Sequence, residues 1–336
     1  MTHSAPFFVL RGADEQTDPA AIGEAALRAR LDGGRCAWTF QTWLRLRHAG
    51  FAATLAGELP RAGLAILHAD DFNAIDRHRF PLPLWTVVCR ADRAPVWRAD
   101  FEIVQNPLQA DGRRCFYVHH WPQPGLLPRD TSRCGALRSV GYFGMFKQLP
   151  EELRHASWRA QLRDLGCDWL TPGGSTITSP LDQSRIHDYS LVDVVVALRD
   201  PLRGDASHKP PTKLLNAWLA GVPAIVSPDP AYLALRTHEL DFIEAADAPA
   251  ALAALRRLRD QPGLYSAMCQ RARERAAEFT PAAISARWQR LLTVEIPAAR
   301  AGSIARLTHP VRALASHGQR VYTRPNRHRF RHYAQA

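Results

Sequence analysis

Short apolar runs alternate with polar segments of helical period along residues 35–120, and this alternation predicts the strands and helices of a sheet domain. The runs at 63–68 and 84–89 are almost continuously apolar, which is typical of parallel strands covered by helices on both faces. Residues 38–48 have the pattern of an amphipathic helix, and Gly50 marks its end. Further short strands are predicted at 51–55, 101–105 and 115–119.

The same alternation resumes after residue 135 and predicts a second sheet domain. Residues 192–198 have the clearest strand pattern, and a predicted helix over 212–220 ends at Gly221, before another apolar run. Because strands alternate with helices here, we expect a second doubly wound α/β domain. The remaining predicted strands are 138–143, 167–170 and 224–227, and further helices are predicted near 150–165 and over 248–260, 262–278 and 281–293.

Proline and glycine mark the boundary between the two domains. Residues 121–135 contain three prolines and two glycines, the residue types that most often interrupt regular structure. We therefore predict a Rossmann-like first domain over 1–135, with 121–135 as its linker, and a Rossmann-like second domain over 136–296. The length of 336 residues fits two such domains. Doubly wound sheets bind ligands at the carboxyl ends of their strands, so the two domains should face each other across a cleft.

Positive charge is concentrated in the basic C-terminal tail, residues 297–336. The formal net charge of the chain is +11, and no acidic residue follows Glu295. Such a tail suits an anionic membrane, a lipid diphosphate or a nucleic acid, and a solvated extension without a partner is the alternative. Its arginines are Arg300, Arg306, Arg312, Arg320, Arg324, Arg327, Arg329 and Arg331.

Apolar runs and cysteines both indicate the cellular compartment. No run approaches the roughly 18–20 apolar residues that a membrane-spanning helix needs, and the N-terminus lacks the pattern of a signal peptide. The six cysteines are scattered without a Cys-x-x-Cys pair, which argues against a disulfide framework or a metal site. These features predict a cytoplasmic protein, peripheral on the inner face of the cell membrane if the tail binds lipid.

The sharpest chemical signal is the segment 208–225, which reads HKPPTKLLNAWLAGVPAI. It combines a loop, a helix start and a glycine–proline stop before a buried strand. Thr212 is a candidate N-cap, and the amide groups after it, together with Lys209 and Lys213, would suit a diphosphate. Asn216 lies one turn further on, in a position to reach a ribose hydroxyl. The alternative is an ordinary surface helix with two solvated lysines.

A second signal is the glycine-rich turn in 140–147, VGYFGMFK, at the end of the first strand of the second domain. Gly141 and Gly144 would permit close approach of the backbone to an anion, and Lys147 would add positive charge. Strand–glycine turns are common, so this motif gains weight mainly from its position directly after the predicted linker.

These two segments resemble the donor-binding part of GT-B glycosyltransferases, especially bacterial enzymes of surface-polysaccharide assembly with a family 1/4-like C-terminal domain. The resemblance covers about residues 138–293. Lys213 matches the lysine of that family, and Gly221 and Pro223 match its Ala-x-x-x-Gly-x-Pro-x-Ile pattern. Retaining members often carry two glutamates, which would fall on His208 and Asn216. Neither is acidic here, so the stereochemical outcome stays open.

The resemblance implies a function and a set of partners. It implies two Rossmann-like domains facing across a cleft, with a nucleotide sugar as donor in the second domain. The acceptor would be a glycan or a lipid-linked glycan, entering from the first domain. Members of this family generally stabilise the departing diphosphate with basic groups and helix ends, so we expect neither a metal ion nor a cofactor beyond the donor substrate.

Candidate catalytic groups follow two predicted strands of the first domain, where a base would face the cleft. His68 and Asp70 follow the strand 63–68, and Asp92 follows the strand 84–89. A carboxylate or imidazole there could deprotonate an acceptor hydroxyl directly in an inverting reaction. Asp70 could equally cap the next helix.

Two linker arginines and two missing motifs complete the interpretation. Arg129 and Arg133 could face the cleft or form salt bridges between the domains. The sequence contains neither a phosphate-binding Gly-x-x-x-x-Gly-Lys-Ser/Thr nor a Gly-x-Gly-x-x-Gly motif, which argues against an ATPase or a dehydrogenase. Asp193 has no second carboxylate beside it, so it does not indicate a metal site.

Two other functional classes remain open. The charge and the Arg/His-rich tail also fit a basic nucleic-acid-binding protein, although no recognised nucleic-acid module is present and no specific nucleic acid is expected as partner. The absence of acidic residues at positions 208 and 216 also fits a catalytically inactive GT-B partner in a glycan-assembly complex.

Overall fold

The structure is a computed structural model that describes residues 5–31, 33–74, 83–133, 135, 137–144, 148–170, 185–199, 208–302, 305 and 307–311. The described strands are β1 (Phe7–Val9), β2 (Thr54–Ala56), β3 (Gly63–His68), β4 (Leu84–Cys89), β5 (Phe101–Val104), β6 (Cys115–Tyr117), β7 (Ser139–Gly141), β8 (Asp168–Leu170), β9 (Val194–Ala197), β10 (Ala224–Val226) and β11 (Ile243–Glu244).

The described α-helices are α1 (Glu24–Arg30), α2 (Gln41–His48), α3 (Ala69–Ala74), α4 (Glu151–Arg154), α5 (Ala156–Asp164), α6 (Thr212–Ala220), α7 (Pro230–Leu233), α8 (Ala248–Asp260), α9 (Pro262–Ala276), α10 (Pro281–Arg290) and α11 (Ile296–Ala301). A π-helical stretch, Cys36–Phe40, leads into α2, and another, Leu291–Glu295, joins α10 to α11. Within the described ranges, no helix is long and apolar enough to cross a membrane.

Each half of the chain forms one parallel sheet. The first sheet has the order β2-β1-β3-β4-β5-β6, and the second has the order β11-β10-β9-β7-β8. All strand pairs in both sheets are parallel. The chain reverses its winding direction between β1 and β3 in the first sheet and between β7 and β9 in the second. The prediction of two doubly wound α/β domains is confirmed.

Strand β1, which lies at the winding reversal of the first sheet, was not predicted from the sequence. It pairs with β2 on one side and with β3 on the other, and Phe8 is fully buried. Its three apolar residues form a run too short to show a period, so the local pattern could not identify it. The position of β1 depends instead on pairing with β3, a strand more than 50 residues away.

The final helices return to the first domain. Ile284 and Trp288 of α10, with Ile296 at the start of α11, are buried in one cluster with Phe8. The rings of Phe8 and Trp288 meet edge to face, with centroids 6.3 Å apart. Residues 281–296, placed in the second domain by the sequence analysis, therefore pack on the first. The apolar period of α10 shows that one face is buried, but it does not show which sheet that face covers.

The two segments that cross between the domains lie side by side. Trp121 is buried in the first domain, where its Nε1 donates to Thr42 Oγ1 over 2.8 Å, whereas Leu126 packs on the core of the second. The return crossing follows Phe279, which is buried in the second domain. The ring of Phe279 lies 4.6 Å from that of His119, centroid to centroid. The crossings therefore fall within about 122–126 and just after Phe279.

Beyond the first crossing, the linker is fastened to the second domain. Arg129 and Arg133 both form ion pairs with Asp193, at 2.9 and 3.0 Å, and the side chain of Asp193 is fully buried. The backbone amides of Arg138 and Ser139 donate to the same carboxylate over 2.9 and 3.0 Å. The structure thus places both arginines on Asp193, where they hold the linker against the start of β9.

Burial alone would raise the pKa of Asp193, but hydrogen bonds from Arg133 and the backbone outweigh burial and lower it. The carboxylate is therefore ionised and compensated. We expect Asp193→Ala to lower the free energy of unfolding by about 3 kcal/mol, because two arginines lose their buried partner. Urea unfolding of the full chain measures this loss. Asp168→Ala, which removes an exposed carboxylate from β8, is the matched control and should change stability by less than about 0.5 kcal/mol. Equal effects of the two substitutions would contradict this role.

Candidate functional site

The candidate site lies at the carboxyl edge of the second sheet, where the winding reverses. Gly144 follows β7, Arg199 follows β9, and α6 begins at the same edge. Lys213 is in the first turn of α6, and its Nζ lies 5.5 Å from the ring centroid of Tyr142. Crevices at this point of doubly wound sheets are the usual ligand sites of the fold.

Helix α6 has the predicted bounds, but its N-cap differs by one residue from the prediction. Pro211 is the N-cap and Thr212 is the first helical residue, since the Pro211 carbonyl accepts from Leu214 N at 3.0 Å and Leu215 N at 3.1 Å. The prediction that Thr212 is the N-cap of α6 is therefore wrong. In the part of the chain that the structure describes, no hydrogen bond occupies the amides of Thr212 or Lys213. Free amides in a first turn favour an anion.

A second cation, Arg199, was missed by the sequence analysis. Its guanidinium pairs with Asp229 and donates to the Pro210 carbonyl over 3.0 Å. Asp229 also accepts from Ser227 Oγ at 3.0 Å. Arg199 follows an apolar strand without any motif around it, so only the convergence of strand ends in the fold reveals its place beside Lys213.

The environment of Lys213 disfavours its own positive charge. Burial lowers the pKa of Lys213, the nearby charges of Arg199 and Lys209 lower it further, and Asp229 opposes them, with a net value of about 7. A buried lysine with a lowered pKa is strongly stabilised by a bound anion, because the negative charge of the anion favours the protonated form of the lysine. The local charges therefore favour a phosphate or diphosphate.

Glycine makes room for this lysine. A Cβ on Gly144 would lie 2.7 Å from Lys213 Cε and 2.8 Å from Tyr142 Oη, so a side chain there would displace the lysine. Gly141 has a packing role instead, because its Cβ would lie 2.8 Å from Phe143 Cε2 and 2.9 Å from Val192 Cγ1. Lys147 lies outside the described residues.

Asn216 is buried on α6 and faces the linker. Its Oδ1 accepts a hydrogen bond from Gln123 N over 3.3 Å. The residue predicted to reach a ribose thus contacts the chain at the crossing between the domains. Its Oδ1 is engaged there, and no local pattern indicates this contact because Gln123 is more than 90 residues away.

Lys209 brings the segment before α6 into contact with the first domain. Its Nζ lies 2.7 Å from Asp92 Oδ2, and both side chains are partly exposed. Asp92 also pairs with Arg93 at 2.9 Å. Burial alone would raise the pKa of Asp92, but the hydrogen bond and charge of Lys209 lower it overall. One residue predicted to bind the donor and one predicted to be catalytic therefore meet directly.

His68 and Asp70 lie at the same edge of the first sheet. His68 is buried, and its Nδ1 accepts from Asp70 N over 3.1 Å, which places the ring proton on Nε2. Burial lowers the pKa of His68, so the ring is neutral. Nε2 has no partner within the described residues and faces Gly34, whose Cβ would lie 3.0 Å away. This geometry favours His68 as a hydrogen-bond donor rather than as a base.

Asp70 is held as a carboxylate. Arg93 donates to both of its oxygens, each over 2.8 Å. Burial would raise the pKa of Asp70, but the hydrogen bond from Arg93 and the neighbouring charges lower it. Asp70 and Asp92 thus share Arg93. Across the described ranges, no group of three or more His, Cys, Asp or Glu side chains is arranged to hold a metal ion.

The pKa of Lys213 gives a test that needs no substrate. An anion bound beside Lys213 should raise its pKa above about 7, so binding at about pH 8.5 should take up a proton and binding at about pH 6 should not. Pyrophosphate affinity should accordingly fall as the pH rises through this range. Calorimetry in buffers of different ionisation enthalpy measures the uptake. Lys213→Arg, which stays charged, should abolish it, and the same uptake in this variant would refute the assignment.

The sequence matches no protein-family model and no curated protein. The fold does match solved structures. Sucrose-phosphate synthase from Thermosynechococcus elongatus is 15% identical, with a TM-score of 0.57 over 88% of this chain and 100% of that chain. The pneumococcal O-GlcNAc transferase GtfA, solved with UDP and GlcNAc, is 13% identical, with a TM-score of 0.50 over 77% of this chain and 60% of that chain.

Both solved proteins are GT-B glycosyltransferases. At these identities the likeness concerns the fold, and the two parallel sheets described above agree with it. The chain therefore has the GT-B fold of glycosyltransferases, as the resemblance of its 138–293 segment implied.

Proposed function

We propose that the protein is a glycosyltransferase that transfers a sugar from a nucleotide-sugar donor to a glycan or a lipid-linked glycan in surface-polysaccharide synthesis. The observation that carries the proposal is the grouping of Lys213, Arg199 and the start of α6 at the winding reversal of the second sheet. The GT-B fold supports it, and the pneumococcal neighbour was solved with UDP and GlcNAc.

The donor diphosphate is proposed to lie between Lys213 and Arg199, with its oxygens at the amides of Thr212 and Lys213. As the glycosidic bond to the nucleotide breaks, negative charge develops on this leaving group. Cations and amides already in place stabilise that charge without reorganising. Because the protein supplies these charges itself, we propose a reaction without a metal ion or a further cofactor.

The acceptor is proposed to enter along the carboxyl edge of the first sheet. Asp92 is our candidate base, because its pair with Lys209 places it closest to the donor segment. Direct proton transfer to Asp92 would accompany an inverting reaction, in which a base and the leaving group act on opposite sides of the sugar. Asp70 would orient the acceptor, and the buried His68 would hold the backbone of Asp70 in place through its Nδ1.

The donor site is tested by Lys213→Ala. We expect the variant to bind nucleoside diphosphates about 10- to 100-fold more weakly, since it loses one hydrogen bond to a charged group. Thermal stabilisation by a panel of nucleoside diphosphates and nucleotide sugars measures the affinities and identifies the base and the sugar. Arg259→Ala, on the exposed face of α8, is the control for loss of one positive charge. Unchanged affinity for every ligand that stabilises the unsubstituted protein would remove this placement.

We also propose that the protein acts in the cytoplasm and that its tail attaches it to the anionic inner membrane surface, where lipid-linked acceptors lie. The start of the tail is docked on the first domain: Arg300 lies 4.9 Å from the Trp85 ring centroid, and His309 Nδ1 lies 2.7 Å from Asp100 Oδ1. Leu307 and Val311 remain largely exposed. Apolar side chains beside a basic segment suit a membrane surface better than a nucleic acid.

Sedimentation with vesicles tests the tail. The full chain should bind phosphatidylglycerol vesicles, lose binding as salt increases, and ignore phosphatidylcholine vesicles, because the attraction is electrostatic. A chain ending at residue 311 should bind markedly less. Binding that survives this truncation would contradict the proposal. Retention of nucleic acid by the full chain, lost on truncation and without vesicle binding, would favour the nucleic-acid alternative.

A further inference from the structure

His208 connects the donor-binding segment to the first domain through its side chain and its backbone. Its Nδ1 lies 2.5 Å from Gln109 Nε2 and 3.5 Å from a terminal nitrogen of Arg90. Its carbonyl accepts from Gln105 Nε2 over 3.2 Å. These four residues form what we call the His208 latch. They join the residue four positions before Thr212 to three polar side chains of the other domain.

The directions of the hydrogen bonds in the latch follow from the chemistry of arginine. Arg90 can only donate, and it donates to Gln109 Oε1. This contact orients the amide, so Gln109 Nε2 must donate to His208 Nδ1. The imidazole therefore accepts at Nδ1. The direction of each hydrogen bond determines the direction of the next one, and the His208 ring can only accept from Gln109.

The first-domain side of the latch is rigid. Arg90 is buried directly after β4, and its guanidinium pairs at 3.2 Å with the fully buried carboxylate of Glu102 on β5. Glu102 also pairs with Arg114 at 2.7 Å and accepts from Val96 N at 3.2 Å. A side chain held in this way keeps its geometry before a partner arrives. Arg90 and Gln109 are thus a preformed receptor for the imidazole.

Lys209, the next residue along the chain, makes a second and weaker contact between the two domains. Lys209 pairs with Asp92 of the first domain, but both side chains are partly exposed, and such pairs contribute little on their own. Consecutive residues 208 and 209 therefore both bridge the domains, and His208 makes the more extensive, partly buried contact, with three side chains of the first domain.

We propose that His208 is a positioning residue that closes the two domains on each other and fixes the start of α6 for anion binding. Only three residues separate His208 from Thr212, so docking of His208 restricts where the first-turn amides and Lys213 can lie. Domain closure and donor binding are thereby coupled, because each stabilises the same arrangement of this segment. The effect on the donor rests on the proposed function, whereas the effect on closure does not.

The test compares the full chain with His208→Ala, Gln109→Leu, the double variant and His208→Asn. Small-angle X-ray scattering without ligand gives the radius of gyration, which reports domain separation. We expect both single substitutions to raise it and to raise the Kd for UDP about tenfold. The double variant should be no worse than either single variant, because both remove the same link. His208→Asn should restore closure, since its Oδ1 can accept from Gln109.

His155→Ala, an exposed histidine substitution on the second domain, is the matched control and should change neither quantity. An unchanged radius of gyration in His208→Ala, or additive effects in the double variant, would overturn the latch. If UDP and other nucleoside diphosphates fail to bind the unsubstituted chain, the proposed donor site fails. The scattering comparison still decides the latch in that case.

Discussion

Two cationic side chains, Lys213 and Arg199, lie close together at the start of a helix that already carries partial positive charge. Burial disfavours the charge on Lys213, the like charge of Arg199 disfavours it further, and together they lower the pKa of Lys213. Asp229 compensates Arg199. The surrounding structure allows this arrangement. Gly144 leaves space for the side chain of Lys213. The carboxyl ends of the parallel strands lie at one edge of the sheet. The resulting preference for an anion links the fold to its proposed chemistry.

The facing edge of the first domain has a complementary character. Asp70 and Asp92 share Arg93, and Lys209 reaches Asp92 from the other domain. Each carboxylate is thus held ionised by a cation that an anionic substrate could also attract. Lys209 thus lies between the carboxylates of the first domain and the cations at the start of α6.

Much of the fold could be predicted from local pattern. The bounds of β3, β4, α6 and α8 agree with the sequence analysis because these elements have strong apolar periods and clear stop signals. The fold of the second domain was also indicated by the segment 208–225. β1 was missed because three residues show no period, and the return of α10 to the first domain was missed because amphipathicity does not name a partner.

Site residues could be predicted where they lie next to a motif in the sequence. Residues that come together only in the folded chain could not be predicted. Lys213 was found from its helix start, whereas Arg199 lies at the end of another strand without a motif. Thr212 was misplaced by one residue because its hydroxyl suggested a cap that Pro211 occupies. His208 and Asn216 drew attention as departures from a family pattern, yet their contacts with Gln109 and Gln123 depend on how the domains meet.

The chain crosses between the domains twice, and these crossings determine how the domains are arranged along the sequence. Because α10 and α11 complete the core of the first domain, the second domain is an insertion within the first. A fragment of about 126–279 contains the core residues of the inserted domain, whereas any chain ending before 281 leaves Phe8 without Trp288. The two domains are therefore joined by two stretches of backbone rather than one. Homologous domains could be exchanged at these two junctions as a cassette.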